Sequence, residues 1–285
     1  MGLCRRGRLK EAMKQRAIVA LTLGPLALLL IYLGGWFYFV PVVVILALAT
    51  QEYTQLAKNI GWRVHFFLLL AAVSGQWVLG QWPQPALSGP VLLLSLLLIL
   101  AYILWTYEKE TSQTVPADWM GTVGGFVLLG VLGSHFFLLR GLPELAWQWT
   151  MLAMLCTWFG DGGAYVVGKF VAGRYIGKHK MSPRLSPNKT VEGYVGGILF
   201  GVVFSLVFAY FTGIPLAAAL IMALLITLLT PLGDLGISLL KREARVKDSG
   251  NVFRSHGGAL DRIDTLLWAV PLAYYVALYS RYLTF

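Results

Sequence analysis

Long apolar runs, parted by short charged segments, fill most of the 285-residue chain. Nine runs approach the ~20 residues that a helix needs to cross a hydrocarbon core. They lie at roughly 17–33, 36–50, 64–82, 87–106, 119–139, 146–168, 191–212, 215–237 and 264–282. The second is short and is parted from the first only by Gly34-Gly35, which predicts a tight hairpin. Merging those two, or dropping one run, would give an even count and move the C-terminus to the other side. The pattern predicts an all-α, polytopic integral membrane protein of about nine transmembrane helices.

Composition agrees. Hydrophobic residues make up 58% and charged residues 13%, with a mean hydropathy of +0.70, against roughly 45–50% and ~25% in soluble domains. A soluble enzyme, a disordered chain and a disulfide scaffold are excluded. Cys4 and Cys156 share no metal-binding or redox spacing and read as inert thiols.

Charge tests the count. The formal net charge is +10, from 23 Lys+Arg against 13 Asp+Glu. With the N-terminus inside and nine crossings, the basic residues collect in the inner segments, leaving only Arg140 and Arg281 outside. The leader Arg5–Arg16 reads as a segment resting on anionic headgroups. The first apolar run lacks a convincing cleavage site and is expected to be retained. Gly193, Gly197 and Gly201 recur every fourth residue, a spacing that serves close helix packing within a subunit or between two.

Acidic residues at membrane depth are costly, about 2.5–3.5 kcal/mol for Asp at a helix centre, so they mark candidate chemistry. One cluster holds Asp161 between Gly160 and Gly162-Gly163, then Ser186, Lys189 and Thr190 just before a predicted helix start, a natural phosphate site. Gly173–Lys178 lacks the spacing of a nucleotide-binding P-loop. A second cluster carries Asp234, Ser238, Lys241 and Arg242 on one helix face. Lys247-Asp248, His256-Gly257-Gly258 and Asp261-Arg262 with Asp264 follow. Aspartates gathered from two spans offer the hard oxygens that Mg²⁺ prefers beside phosphates. Lys241, Arg242, Lys247 and Arg262 supply neutralising charge, and the Gly257-Gly258 amides are expected to reach a phosphate.

The run Ser238-x-x-Lys241-Arg242, Lys247-Asp248-x-Gly250, His256-Gly257-Gly258-x-x-Asp261-Arg262-x-Asp264 closely resembles the signature of the bacterial phosphatidate cytidylyltransferases, also called CDP-diacylglycerol synthases. Asp161-x-x-Ala164-Tyr165 and Ser186-Pro187-x-Lys189-Thr190-x-Glu192-Gly193 resemble the same family's upstream segment. The resemblance is dense over the C-terminal half and, toward the N-terminus, one of hydropathy alone. It implies transfer of CMP from CTP to phosphatidate, giving CDP-diacylglycerol and pyrophosphate, at the cytoplasmic face of a bacterial inner membrane. It also implies Mg²⁺, with room for a second divalent or monovalent cation.

On this reading Asp234 and Asp261 ligate the metal, with Asp264 and Asp161 beside them. Lys241, Arg242 and Lys247 hold phosphates. Ser186, Lys189 and Thr190 contact nucleotide or headgroup, and Asp248 and His256 order the loop. Tyr165, Pro187, Glu192, Ser238, Gly257 and Gly258 are assigned to substrate binding, and Arg262 to the catalytic set. Residues 1–145 are expected to be a scaffold giving lipid access and 146–285 to carry the catalytic loops. Membrane lipids and a second copy of the chain are expected partners; nucleic acid is not. A lipid kinase or an anion transporter remains the rival expectation.

Overall fold

A computed structural model describes residues 24–109, 114–252 and 257–280. The basic leader, Cys4, Arg254, His256 and Arg281 therefore lie outside the described residues.

Each of the nine apolar runs overlaps a helix. They are α1 (Gly24–Leu33), α2 (Gly35–Ile60), α3 (Phe66–Gln81), α4 (Pro85–Glu108), α5 (Val115–Arg140), α6 (Ala146–Val166), α7 (Val191–Thr212), α8 (Leu216–Glu243) and the pair α9 (Leu260–Ile263) and α10 (Leu266–Tyr279). Among the described residues, five of these, namely α2, α4, α5, α7 and α8, are long and apolar enough to cross a membrane alone. The others are shorter or more polar. α10 has 14 residues, about 21 Å at 1.5 Å per residue. Asp264 and Thr265 keep helical dihedrals, however, so α9 and α10 form one nearly continuous rod.

The helix ends alternate between two faces. At one end, Gly34 and Gly35 take positive φ and turn α1 into α2 within one residue, the hairpin the glycine pair predicts. Arg140 caps that turn from α5, its Nε donating to Ile31 O at 2.7 Å and its terminal nitrogen to Tyr32 O at 3.2 Å. At the other end, the Arg63 amide donates to Asp118 Oδ1 at 2.7 Å, tying the α2–α3 turn to the start of α5.

One expectation needs correction. The second run is not short: α2 continues past residue 50 to Ile60, because Ala49, Tyr53, Leu56 and Ala57 keep an apolar stripe at helical spacing while polar residues interrupt the window. The bundle also carries a short β-hairpin. Lys180–Ser182 (β1) and Ser186–Thr190 (β2) pair antiparallel, with Lys180 opposite Thr190 and Ser182 opposite Ser186. The glycine stripe of α7 is used inside the subunit. A Cβ on Gly193 would lie 2.7 Å from Ala164 O, and one on Gly197 2.8 Å from Gly160 O. Those contacts seat α7 against α6, so a homodimer would have to use a different face.

Among the described residues, α10 packs against both α5 and α6. The core runs continuously through both halves, from Leu46 and Leu69 to Leu152, Ile226 and Leu267.

Candidate functional site

Close helix packing brings the first acidic group into place. With α7 drawn onto α6 by glycine, Asp161 of α6 faces the cavity beneath the β-hairpin. β2 runs directly into α7, where Thr190 is the N-cap and its Oγ1 accepts from the Gly193 amide at 3.1 Å. Glu192 in the first turn of α7 holds the hairpin's approach. Its carboxylate accepts from the His179 amide at 3.0 Å and contacts His179 Nδ1 at 2.6 Å. Both residues, expected to bind substrate, also position the hairpin, and Thr190 lines the cavity beside it.

Lys189 thereby reaches α8, where its Nζ pairs with Asp234 Oδ2. Gly233 permits this register, because any Cβ there would collide with Trp268 of α10. A cavity of about 260 Å³ opens at the junction, lined by Asp161, Tyr165, Lys189, Thr190, Asp234 and Thr265 among others. Two sequence clusters, one on either side of α7, so meet at a single opening.

Asp234 is the electrostatic hub. Its charge acts on both Asp161 and Asp264, while Lys189 acts on Asp161 and Lys241 on Asp264. Asp264 is buried, its Oδ1 accepting from the Thr265 amide at 2.7 Å and hydroxyl at 3.1 Å. Ser238 sits one turn below Asp234, with its hydroxyl 3.4 Å from Asp234 Oδ1.

Asp261 is held by three hydrogen bonds. Its Oδ1 accepts from Lys241 Nζ at 2.8 Å, and Oδ2 accepts from the amides of Ser249 at 2.8 Å and Gly258 at 3.0 Å. Burial works to raise its pKa, but the Lys241 hydrogen bond and the two amides outweigh burial and hold it below the usual carboxylate range. Both oxygens are engaged in ordering the loop that follows α8. The Gly258 amide, expected to meet a phosphate, donates to Asp261. Gly257 has φ +80°, and a Cβ there would lie 2.6 Å from Asp261 Oδ2.

Arg242 Nε donates to Leu185 O at 3.3 Å, joining the end of α8 to the hairpin turn. Ser186 lies on β2 opposite Ser182. Pro187, Lys247, Asp248 and Arg262 are exposed around this end of the bundle. Cys156 is buried, as its apolar setting predicts.

The donor set suits a hard divalent cation. Among the described residues, no three Asp, Glu, His or Cys side chains converge into a ready-made metal cage. Mg²⁺ commonly takes one or two carboxylates and completes its shell with water and substrate phosphates. Asp161 and Asp234 open onto a cavity large enough to admit such groups.

Reasoning from sequence missed Glu52. This α2 residue is only 7% exposed, and its carboxylate accepts from Ser249 Oγ and from the amides of Ala259 and Leu260. The apolar stripe that carries α2 past residue 50 is the signal that places Glu52 on a helix.

The profile of the Cytidylyltransferase family matches residues 14–280. A phosphatidate cytidylyltransferase of Pseudomonas aeruginosa is 34% identical over 272 residues, covering 91% of this chain and 95% of the relative. One from Synechocystis is 30% identical over 286 residues, covering 92% and 95%. A third, from Bacillus subtilis, is 29% identical over 182 residues, covering 62% and 66%.

Proposed function

The chain belongs to the cytidylyltransferase family, and on that premise we propose that it transfers CMP from CTP to phosphatidate, yielding CDP-diacylglycerol and pyrophosphate. One observation carries the reading. Lys189–Asp234 and Lys241–Asp261 bring fixed cations and carboxylates from two loops to one end of a helical membrane bundle.

The reaction asks for charge management more than for a base. Phosphatidate is already an anion, so its phosphate oxygen attacks the α-phosphorus directly. The bond between the α-phosphorus and the α–β bridging oxygen breaks, and pyrophosphate leaves with the electron pair. Lys189 and Lys241 are each held by an aspartate, and Lys189 borders the polar opening. A polyphosphate competes with those aspartates for the lysines and fixes its own position in doing so. Arg242 stays near the hairpin and adds charge at the rim. Asp161 and Asp234, which open onto the cavity, are the residues that would hold Mg²⁺. Mg²⁺ held there would supply Lewis-acid stabilisation of the charge that builds on the leaving pyrophosphate. A second cation has the same carboxylates available.

The topology follows from the same reading. Nine crossings with the N-terminus inside put the hairpin and the loop after α8 at the cytoplasmic face of a bacterial inner membrane, where CTP is found. The diacyl tails remain in the lipid around the apolar helices.

Purified protein given cytidine-labelled CTP, phosphatidate and Mg²⁺ tests the reaction. Label is expected in the organic phase with pyrophosphate released. Failure of cytidine to enter lipid would refute the reading.

A further inference from the structure

Glu52 is an acidic residue on a membrane-embedded helix of the N-terminal half, far in sequence from both charged clusters. A buried carboxylate is expensive unless its oxygens are satisfied, and here each is. Oε1 accepts from the Ala259 amide at 2.9 Å. Oε2 accepts from Ser249 Oγ at 2.7 Å and from the Leu260 amide at 2.9 Å.

Two of the donors lie in the segment between α8 and α9, and the third is the first residue of α9. Two glycines of that segment are explained by the same carboxylate, since a Cβ on Gly250 or on Gly258 would collide with Glu52. Ser249 is the shared joint. Its hydroxyl donates to Glu52, while its amide donates to Asp261. Asp261 in turn holds Lys241. An unbroken chain of hydrogen bonds therefore runs from α2 through Ser249 and Asp261 to a lysine of the site.

We propose that Glu52 is a positioning residue for cytidylyl transfer: it fixes Ser249 and the turn at 258–261, and through them the placement of Lys241. The proposal rests on the function given above. Glutamine is a poor substitute, because its single acceptor oxygen cannot serve both sets of donors, and its NH₂ group would face another donor. The hydrogen bonds to Ala259 and Leu260 also pin the start of the α9–α10 rod, which carries Asp264. A loosened rod shifts reacting groups without removing any of them. Misplacement of about 1 Å can cost on the order of 10²-fold in rate.

The test compares Glu52→Gln and Ser249→Ala with wild type in two readouts. Amide hydrogen exchange without substrate reports the loop itself, and steady-state kinetics report kcat and KM for CTP. Expected for Glu52→Gln are faster exchange confined to residues 249–261 and a kcat at least ~10-fold lower, with KM for CTP within about twofold. Ser249→Ala, which keeps the backbone bonds, is expected to shift both readouts in the same direction by less. Unchanged exchange in the loop would overturn the proposal, as would loosened exchange with wild-type kcat or a change in KM alone. Should Glu52→Gln fail to fold, Ser249→Ala decides by the same criteria. A wild-type protein that does not make CDP-lipid would refute the assigned reaction while leaving the exchange result to judge the loop.

Discussion

Lys189 pairs with Asp234, and Lys241 with Asp261, yet the surroundings give the two pairs different work. Lys189 and Asp234 border the cavity and are each about 30% exposed, whereas Lys241 and Asp261 are largely covered. Replacing Lys189 with Met removes a charge-assisted contact worth about 1.5–3 kcal/mol and leaves Asp234 facing phosphate without its cation. Steady-state assays are expected to show kcat/KM for CTP reduced by roughly 10- to 100-fold; a value within twofold of wild type would contradict the role. Asp261 has a pH signature. Because its folded pKa is lowered, its contribution is complete above the unfolded carboxylate value of about 3.9 and fades as pH falls through the lower folded value. Amide protection at Ser249 and Gly258 should therefore show no Asp261-dependent loss between pH 7 and 5 and should weaken only in stronger acid. Loss of that protection near pH 6 would contradict the Asp261 assignment.

At the scale of elements, α7 is held by small residues and α2 by one carboxylate. Gly197→Val would push against Gly160 O and Ala164, forcing α6 from α7 and Asp161 from its place. Overpacking of this kind costs about 1–3 kcal/mol. The variant is expected to melt lower and lose activity, while Gly89→Ala on α4, which meets nothing within 4 Å, behaves as wild type. Equal melting of the two would refute the packing role. The helices were legible because an apolar run marks each one, although α2 extends ten residues past its run, and Gly34-Gly35 marks the turn from α1 to α2. The β-hairpin was not legible: Lys180–Thr190 is short, polar and rich in turn-forming residues, so its pairing depends on Glu192 gripping His179. Motif spacing brought Asp161, Lys189, Asp234 and Lys241 forward as site residues. It did not reveal that Thr190, Glu192 and the Gly258 amide are taken up by local structure, because a hydroxyl, carboxylate or amide reads the same in sequence whichever partner it meets. Glu52 lay outside the motif altogether and became visible only when α2 packed against the loop after α8.

For the whole molecule, an apolar bundle with carboxylates and lysines at one end lets a lipid phosphate and a nucleotide phosphate approach despite their repulsion. In the proposed reaction Mg²⁺ would join substrate and protein together. Chelation is expected to stop transfer while leaving the melting transition in place, and added Mg²⁺ to restore it; full turnover in excess chelator would refute the requirement. The most direct test follows individual phosphorus atoms. Purified protein is given phosphatidate, Mg²⁺ and CTP labelled at either the α- or the γ-phosphate, alongside an Asp234→Asn variant. The account predicts α-label in lipid and γ-label in pyrophosphate, in equal amounts, with both signals lost in the variant. Gamma-label in lipid, or a wild-type rate from Asp234→Asn, would contradict it.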